Sequence, residues 1–114
     1  MKIREIQALL GAEILCCDDL LDEEVRMACG SDMMSDVLAF VKDQAVLLTG
    51  LVNAQVIRTA MMMDMRCVVF VRSKRPTADM IELAGENHIV LLATNLRMYE
   101  ACGTLFTNGL GNEA

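Results

Sequence analysis

The sequence predicts one α/β domain with three layers, in which helices cover both faces of a mainly parallel sheet. Three stretches are almost entirely apolar, at residues 45–49, 67–71 and 89–93. Continuous apolar runs, in contrast to alternating ones, are typical of strands buried on both faces of a parallel sheet. The runs begin 22 residues apart, and each interval holds a helical pattern long enough for a right-handed crossover. We therefore expect βα repeats in a single domain spanning residues 1–114.

The N-terminal third is predicted to add two short strands and two helices. The apolar spacing indicates a helix at residues 4–10, strands at 12–17 and 25–29, and a helix through residue 40. Ser31 and Asp32 suit the N-cap of the second helix. Their alternative role is the polar rim of a pocket that accepts a ribose hydroxyl or a water molecule. The acidic stretch between the two strands is expected to be a solvated turn.

The segment 53–65 has an unusually apolar helical pattern. Only Gln55, Arg58, Thr59 and Asp64 are clearly hydrophilic within it. A helix that is apolar on most sides is buried on most sides. Its methionines either fill the core of the domain or form an interface with another protein, where adaptable methionines are common. The residues predicted at the interface are Met61, Met62, Met63 and Met65.

The C-terminal part of the chain completes the repeat with two further helices. They are predicted at residues 77–87 and 96–106, with Thr94 or Asn95 as the N-cap of the last helix. Residues 107–114 are rich in glycine and asparagine, and we expect them to form a flexible tail.

The composition excludes several classes of protein. The net charge is −6, and residues 1–36 hold nine acids and three bases, whereas residues 37–114 hold seven of each. A nucleic acid partner is not expected, because it requires a dense basic face. No apolar run approaches the roughly 20 residues of a membrane span, and the chain opens without the apolar stretch of a signal peptide. We expect a cytoplasmic protein whose 54% apolar residues favour pairing with a second copy.

The sequence predicts neither metal binding nor catalysis. Its five cysteines include no C-x-x-C pair, so they are expected to be small buried hydrophobic residues in a reducing compartment. The single histidine, His88, falls at a helix–strand junction and is expected to be a turn residue. No nucleophile elbow or glycine-rich phosphate loop is present. We therefore expect a protein that is not an enzyme and that holds no cofactor or metal.

Polar residues follow the predicted parallel strands, where ligands bind in open α/β sheets. The turn at residues 72–75 places three bases in four residues of an acidic chain. It is either a solvated turn, a site for an anionic ligand such as a nucleotide or phosphate metabolite, or a docking patch for an acidic partner. Helix N-termini directed at the same edge favour an anion. The predicted ligand-binding residues are Ser31, Asp32, Thr49, Asn53, Arg72, Ser73, Lys74 and Thr94.

Four stretches together resemble the DRTGG domain family. They are MKIREIQALLGAEIL, GSDMMSDVLAF, LLTGLVNAQVIRTAMMMDMRCVVFVRSKRP and VLLATNLRMYEACGTLF, which cover nearly the whole chain. The resemblance implies a regulatory module similar to the N-terminal domain of HPr kinase/phosphorylase and to the DRTGG modules of CBS-domain pyrophosphatases and phosphotransacetylases. It also implies a homodimer. The alternative that it implies is an accessory subunit of an iron hydrogenase-type redox system or a kinase-type system, acting by protein contact alone.

The chain departs from that family at one strand end. The family name records a Thr-Gly-Gly sequence there, and this chain has Val71-Arg72-Ser73. Glycines let a backbone loop approach a ligand closely. If an anion binds here, Arg72 and Lys74 are expected to hold it in place of bare amides.

Overall fold

The computed structural model describes residues 1–40 and 44–111, and it contains a five-stranded sheet between two helical layers. The strands are β1 (Glu13–Cys16), β2 (Met27–Gly30), β3 (Ala45–Thr49), β4 (Cys67–Phe70) and β5 (Val90–Ala93). The helices are α1 (Ile3–Leu10), α2 (Met34–Phe40), α3 (Ala54–Met62), α4 (Ala78–Glu86) and α5 (Met98–Thr107). A short 3₁₀ turn, Asp18–Leu20, lies between β1 and β2. No helix within these described ranges could span a membrane.

The sheet has the order β1-β5-β4-β3-β2. Strands β2 to β5 are parallel, and β1 joins the β5 edge in the antiparallel direction. This confirms the predicted mainly parallel sheet. Because β1 runs against the others, its first residue lies at the edge where the parallel strands end, and Glu13 pairs in register with Ala93.

The two faces of the sheet carry separate cores. On β4, Cys67 and Val69 pack with α1 and α5, whereas Val68 and Phe70 pack with α2, α3 and α4. All the residues of β3, β4 and β5 are buried. Their burial on both faces explains why the sequence shows continuous apolar runs where a solvent-facing sheet would alternate.

Helix α3 ends three residues earlier than predicted. Asp64 has a φ of 54°, in the left-handed region, and it turns the chain out of the helix. Met65 then returns into the core with only 1% of its surface exposed, so it is removed from the predicted interface set. Met61 and Met62 remain exposed, the latter by 70%. The methionines therefore divide between core and surface.

The last helix and the tail also differ from the prediction. Arg97 is the N-cap residue of α5, so the assignment of that cap to Thr94 or Asn95 is wrong. The Thr94 hydroxyl is buried and donates to the Leu10 carbonyl at 2.8 Å. In the predicted tail, Thr107 still belongs to α5, and the Leu110 side chain is buried in the core. Residues 112–114 lie outside the described residues.

Candidate functional site

The polar cluster at the carboxyl edge of the sheet is centred on the carboxylate of Asp32. Its Oδ1 accepts hydrogen bonds from the Thr49 hydroxyl at 3.0 Å and from the Gly50 amide at 2.7 Å. The Arg72 guanidinium lies 3.5 Å from Oδ2. The loop after β2 is thereby joined to the ends of β3 and β4. Four residues that the sequence analysis placed at this edge therefore lie together: Asp32, Thr49, Gly50 and Arg72.

Gly50 leaves room for the close approach of Arg72. A Cβ atom at position 50 would collide with the Arg72 guanidinium, which lies directly over the backbone. The absence of a side chain at Gly50 therefore allows the guanidinium to reach Asp32. This packing also means that the positive charge of Arg72 is already compensated within the chain.

The basic turn after β4 is held by backbone hydrogen bonds. Arg72 and Ser73 have φ values of 57° and 59°, in the left-handed region that favours glycine. The Lys74 amide donates to the Val71 carbonyl at 3.1 Å, which closes a turn of the type I′ kind. The amides of Arg72 and Ser73 donate to the carbonyls of Leu96 and Thr94. Since all three amides are used inside the chain, a ligand at this turn would be bound by side chains.

A pocket of about 300 Å³ lies beside this turn. The Ser73 hydroxyl donates to Asn95 Oδ1 at 2.9 Å on one side of it, and Arg75 forms an ion pair with Glu13 on the other. The residues that line it are Gly11, Glu13, Ser73, Arg75, Ala93, Thr94 and Asn95. Sequence reasoning missed Glu13, because only the antiparallel direction of β1 brings it to this edge.

Three of the predicted ligand residues have other roles or none. Asn53 is the N-cap of α3, and its Oδ1 accepts from the Gln55 amide at 2.9 Å. The Ser31 hydroxyl oxygen accepts from the Met33 amide at 3.0 Å, in the turn that leads into α2. Lys74 is exposed and forms no ion pair with any residue in the ranges 1–40 and 44–111.

Four of the five cysteines lie in environments that raise the pKa of their thiols. Burial raises the pKa of Cys67, Cys29 and Cys102, and burial together with the neighbouring Cys16 raises the pKa of Cys17 to about 11. A thiol with a raised pKa is a poor nucleophile and a poor metal ligand at neutral pH. Among the described residues, no three of the types His, Cys, Asp and Glu gather as a metal site.

A larger apolar groove of about 880 Å³ lies between β2 and α5, and we call it the β2–α5 groove. Three large side chains on it are exposed: Tyr99 by 89%, Phe106 by 54% and Met27 by 40%. The other residues that line it are Ala28, Gly30, Met98, Glu100, Cys102, Gly103, Thr104, Thr107, Leu110 and Gly111. No pattern in the sequence indicates this groove, because it depends on β2 being the edge strand.

Comparisons with known proteins identify a family and a fold. A family model of the DRTGG domain matches residues 5–106. The chain is similar to the CBS and DRTGG domains of the regulatory region of Clostridium perfringens pyrophosphatase, which was solved in complex with its activator diadenosine tetraphosphate. The TM-score is 0.72 at 16% identity, over 91% of this chain and 45% of that chain. This chain thus spans less than half of that neighbour, and the likeness shows the fold. A comparison with curated proteins finds no significant match.

Proposed function

This chain belongs to the DRTGG domain family, and we propose that it is a non-catalytic regulatory or accessory module that acts as a homodimer and senses a nucleotide or phosphate metabolite. The observation that carries the proposal is the polar pocket at the carboxyl edge of the parallel strands, where Ser73 and Arg75 meet Asn95. Open parallel sheets bind their ligands at this edge. The pyrophosphatase regulatory region that shares this fold is bound by a dinucleotide activator, which favours the same ligand class.

The charges around the pocket favour a ligand with both phosphate and hydroxyl groups. The two guanidinium groups of the basic turn are already paired with carboxylates, Arg72 with Asp32 and Arg75 with Glu13. A bare phosphate must compete with those carboxylates for the arginines. A nucleotide can instead offer its ribose hydroxyls as donors to a carboxylate while its phosphate contacts Arg75 and the unpaired Lys74. We therefore expect nucleotides to bind more tightly than inorganic phosphate.

A thermal-shift panel tests the proposal, with diadenosine tetraphosphate, ATP, AMP and inorganic phosphate as the ligands. A ligand present at 100 times its Kd adds about 2.7 kcal/mol of stability. For a domain of this size, that corresponds to a rise in Tm of roughly 10 °C. We expect a shift with at least one nucleotide and a weaker response to phosphate.

The variant Arg75→Ala should abolish that shift. Arg4→Ala is the matched control, because Arg4 also forms an exposed ion pair with an acid, Asp22, but lies in the first turn of α1, whereas Gly11 at the other end of that helix lines the pocket. We expect Arg4→Ala to leave the ligand response unchanged. No shift with any nucleotide in the panel, or an equal loss in both variants, would contradict nucleotide sensing at this pocket.

The exposed β2–α5 groove favours a second candidate function. In this alternative, the chain is an accessory subunit that acts by protein contact alone, within a redox or kinase-type system. The groove offers Tyr99 and Phe106, and aromatic residues are enriched at protein interfaces. Absence of any ligand response, together with a defined complex between the purified chain and a purified partner that Phe106→Asp abolishes, would favour this function over sensing.

A further inference from the structure

We infer that the β2–α5 groove is the surface through which two copies of this chain pair, with β2 of each copy aligned antiparallel to β2 of the other. The inference rests on the homodimer of the proposed function and names its interface. It places that interface on the opposite layer of the domain from the exposed methionines of α3. The argument uses the open side of β2, the apolar flank of α5 and the distribution of charge.

Strand β2 is an edge strand whose outer side faces the groove. The amides of Met27 and Ser31 are directed inward and donate to the carbonyls of Gln44 and Leu48. The alternate residues, Ala28 and Gly30, therefore direct their backbone groups away from β3, and both of them line the groove. An edge strand with open N–H and C=O groups is a template for pairing with another strand.

Helix α5 supplies an apolar wall along that open edge. Tyr99 and Phe106 project from it, separated by two turns. A Cβ atom at Gly30 would lie 2.6 Å from Cys102 Sγ, so the helix packs tightly against the end of β2. A Cβ atom at Gly103 would meet no atom within 4 Å, which leaves room for an incoming side chain. The groove can therefore accept both a strand and aromatic side chains.

A second copy can cover this surface, because it brings the same open strand edge and the same apolar wall to the contact. Identical strands that pair antiparallel are related by a two-fold axis, which is the symmetry of most homodimers. The same axis brings Phe106 and Tyr99 of each copy towards the groove of the other. Two apolar walls and two open strand edges would then be covered at once.

The charges also favour the groove over helix α3. Two copies that each carry a net charge of −6 repel one another, and the repulsion is smaller when few charged residues lie at the contact. Glu100 is the single charged residue among the described residues that line the groove. By contrast, the pocket that the exposed Met61 of α3 lines also includes two charged residues, Asp64 and Arg66.

Sedimentation velocity on the full chain at tens of micromolar tests the inference. We expect a dimer whose Kd rises by roughly tenfold or more in Phe106→Asp, since buried aromatic anchors dominate such interfaces. Met62→Asp is the matched control, because Met62 is also apolar and exposed but lies on α3. It should leave the Kd unchanged. Circular dichroism checks that each variant is folded.

Hydrogen exchange gives a second readout that does not depend on a substitution. In the dimer, the amides of Ala28 and Gly30 should become protected as concentration rises, because they gain partners across the two-fold axis. A dimer that Met62→Asp breaks and Phe106→Asp does not would overturn this interface while the homodimer stands. A monomer at all concentrations would overturn both the interface and the homodimer. The ligand-binding part of the proposed function would still be decided by the thermal-shift panel.

Discussion

The carboxylate of Asp32 is an internal anion that occupies the site formed by the ends of two strands. It accepts hydrogen bonds from the Thr49 hydroxyl, the Gly50 amide and the Arg72 guanidinium. These are the kinds of donor that bind a phosphate oxygen in other proteins. The three bases in the turn at residues 72–75 therefore overstate the capacity of this edge for a free anion. Lys74 and the neighbouring pocket remain available to a ligand.

Removing that carboxylate should destabilise the domain. In Asp32→Ala, the buried Thr49 hydroxyl and the Gly50 amide lose their acceptor, and we expect a loss of about 2 kcal/mol in the free energy of unfolding. Asp32→Asn keeps an acceptor oxygen and should lose about half as much. Urea denaturation measures both. Asp18→Ala, at an exposed acid on the 3₁₀ turn, is the control and should change stability by less than about 0.5 kcal/mol.

The left-handed backbone at Ser73 gives a second prediction at this scale. A β-branched side chain is strongly disfavoured at a φ of 59°, so Ser73→Val should cost about 2 kcal/mol. Ser73→Gly should stay within about 0.5 kcal/mol of the wild type, because relief of the backbone offsets the loss of an exposed hydrogen bond to Asn95. Lys74, the next residue, has no positive φ. If Lys74→Val costs as much as Ser73→Val under the same denaturation conditions, the strain argument is wrong.

At the scale of elements, helix capping accounts for one of the predicted site residues, Asn53. Asn53 and Thr77 begin α3 and α4, and each accepts a hydrogen bond from an amide of the first turn. Residues of these types are suited to either an N-cap or a ligand site, so sequence alone does not separate the two roles. The structure assigns the side-chain oxygen of Asn53 to the helix.

A substitution series at Asn53 checks that assignment. Asn53→Ala should cost about 1 kcal/mol, whereas Asn53→Asp and Asn53→Ser keep a capping oxygen and should cost only a few tenths of that. Chemical denaturation gives the stabilities, and the nucleotide panel gives the ligand responses. A ligand response that falls in Asn53→Ser while stability is retained would instead make Asn53 part of the binding site.

The methionines of the α3 region provide a matched pair of core and surface positions. Met65 is fully buried beyond the end of the helix, and Met62 is exposed on it. We expect Met65→Ala to cost about 2–4 kcal/mol through lost burial and a cavity. Met62→Ala should change the free energy of unfolding by less than about 0.5 kcal/mol. Equal effects of the two substitutions would show that Met62 is also covered, most simply by a partner.

At the scale of the whole molecule, the sequence predicts what burial imposes and misses what strand order decides. Strands β3, β4 and β5 could be predicted from the sequence because burial on both faces makes them almost entirely apolar. Asp32 and Arg72 are 40 positions apart in the sequence, and no local sequence pattern predicts that they pair. Glu13 lies beside Arg75 because β1 runs antiparallel to β5. A ligand site at the meeting point of several strands is accordingly harder to predict than the strands themselves.

The raised thiol pKa values make the stability of the whole domain sensitive to alkaline pH. In the unfolded chain, these thiols ionise near their ordinary pKa of 9, whereas burial keeps Cys67 protonated in the fold well above that pH. Between those two values the unfolded state binds fewer protons than the folded state, so stability falls as pH rises. The contribution of Cys67 to the free energy of unfolding is fully present below pH 9 and is lost progressively above that pH. The exposed fractions of Cys17, Cys29 and Cys102 make their contributions smaller.

Urea denaturation between pH 7 and pH 11 measures this dependence. We expect the free energy of unfolding to fall above pH 9, with Cys67 accounting for about 1 kcal/mol per pH unit. Cys67→Ala should lower stability at pH 7 through the lost packing and should flatten the alkaline slope by that amount. Val69→Ala removes buried volume from the same face of β4 without removing a thiol, so its slope should match the wild type. Parallel slopes for wild type and Cys67→Ala would mean that the Cys67 thiol ionises alike in the folded and unfolded states, and that the buried strand does not exclude the charge.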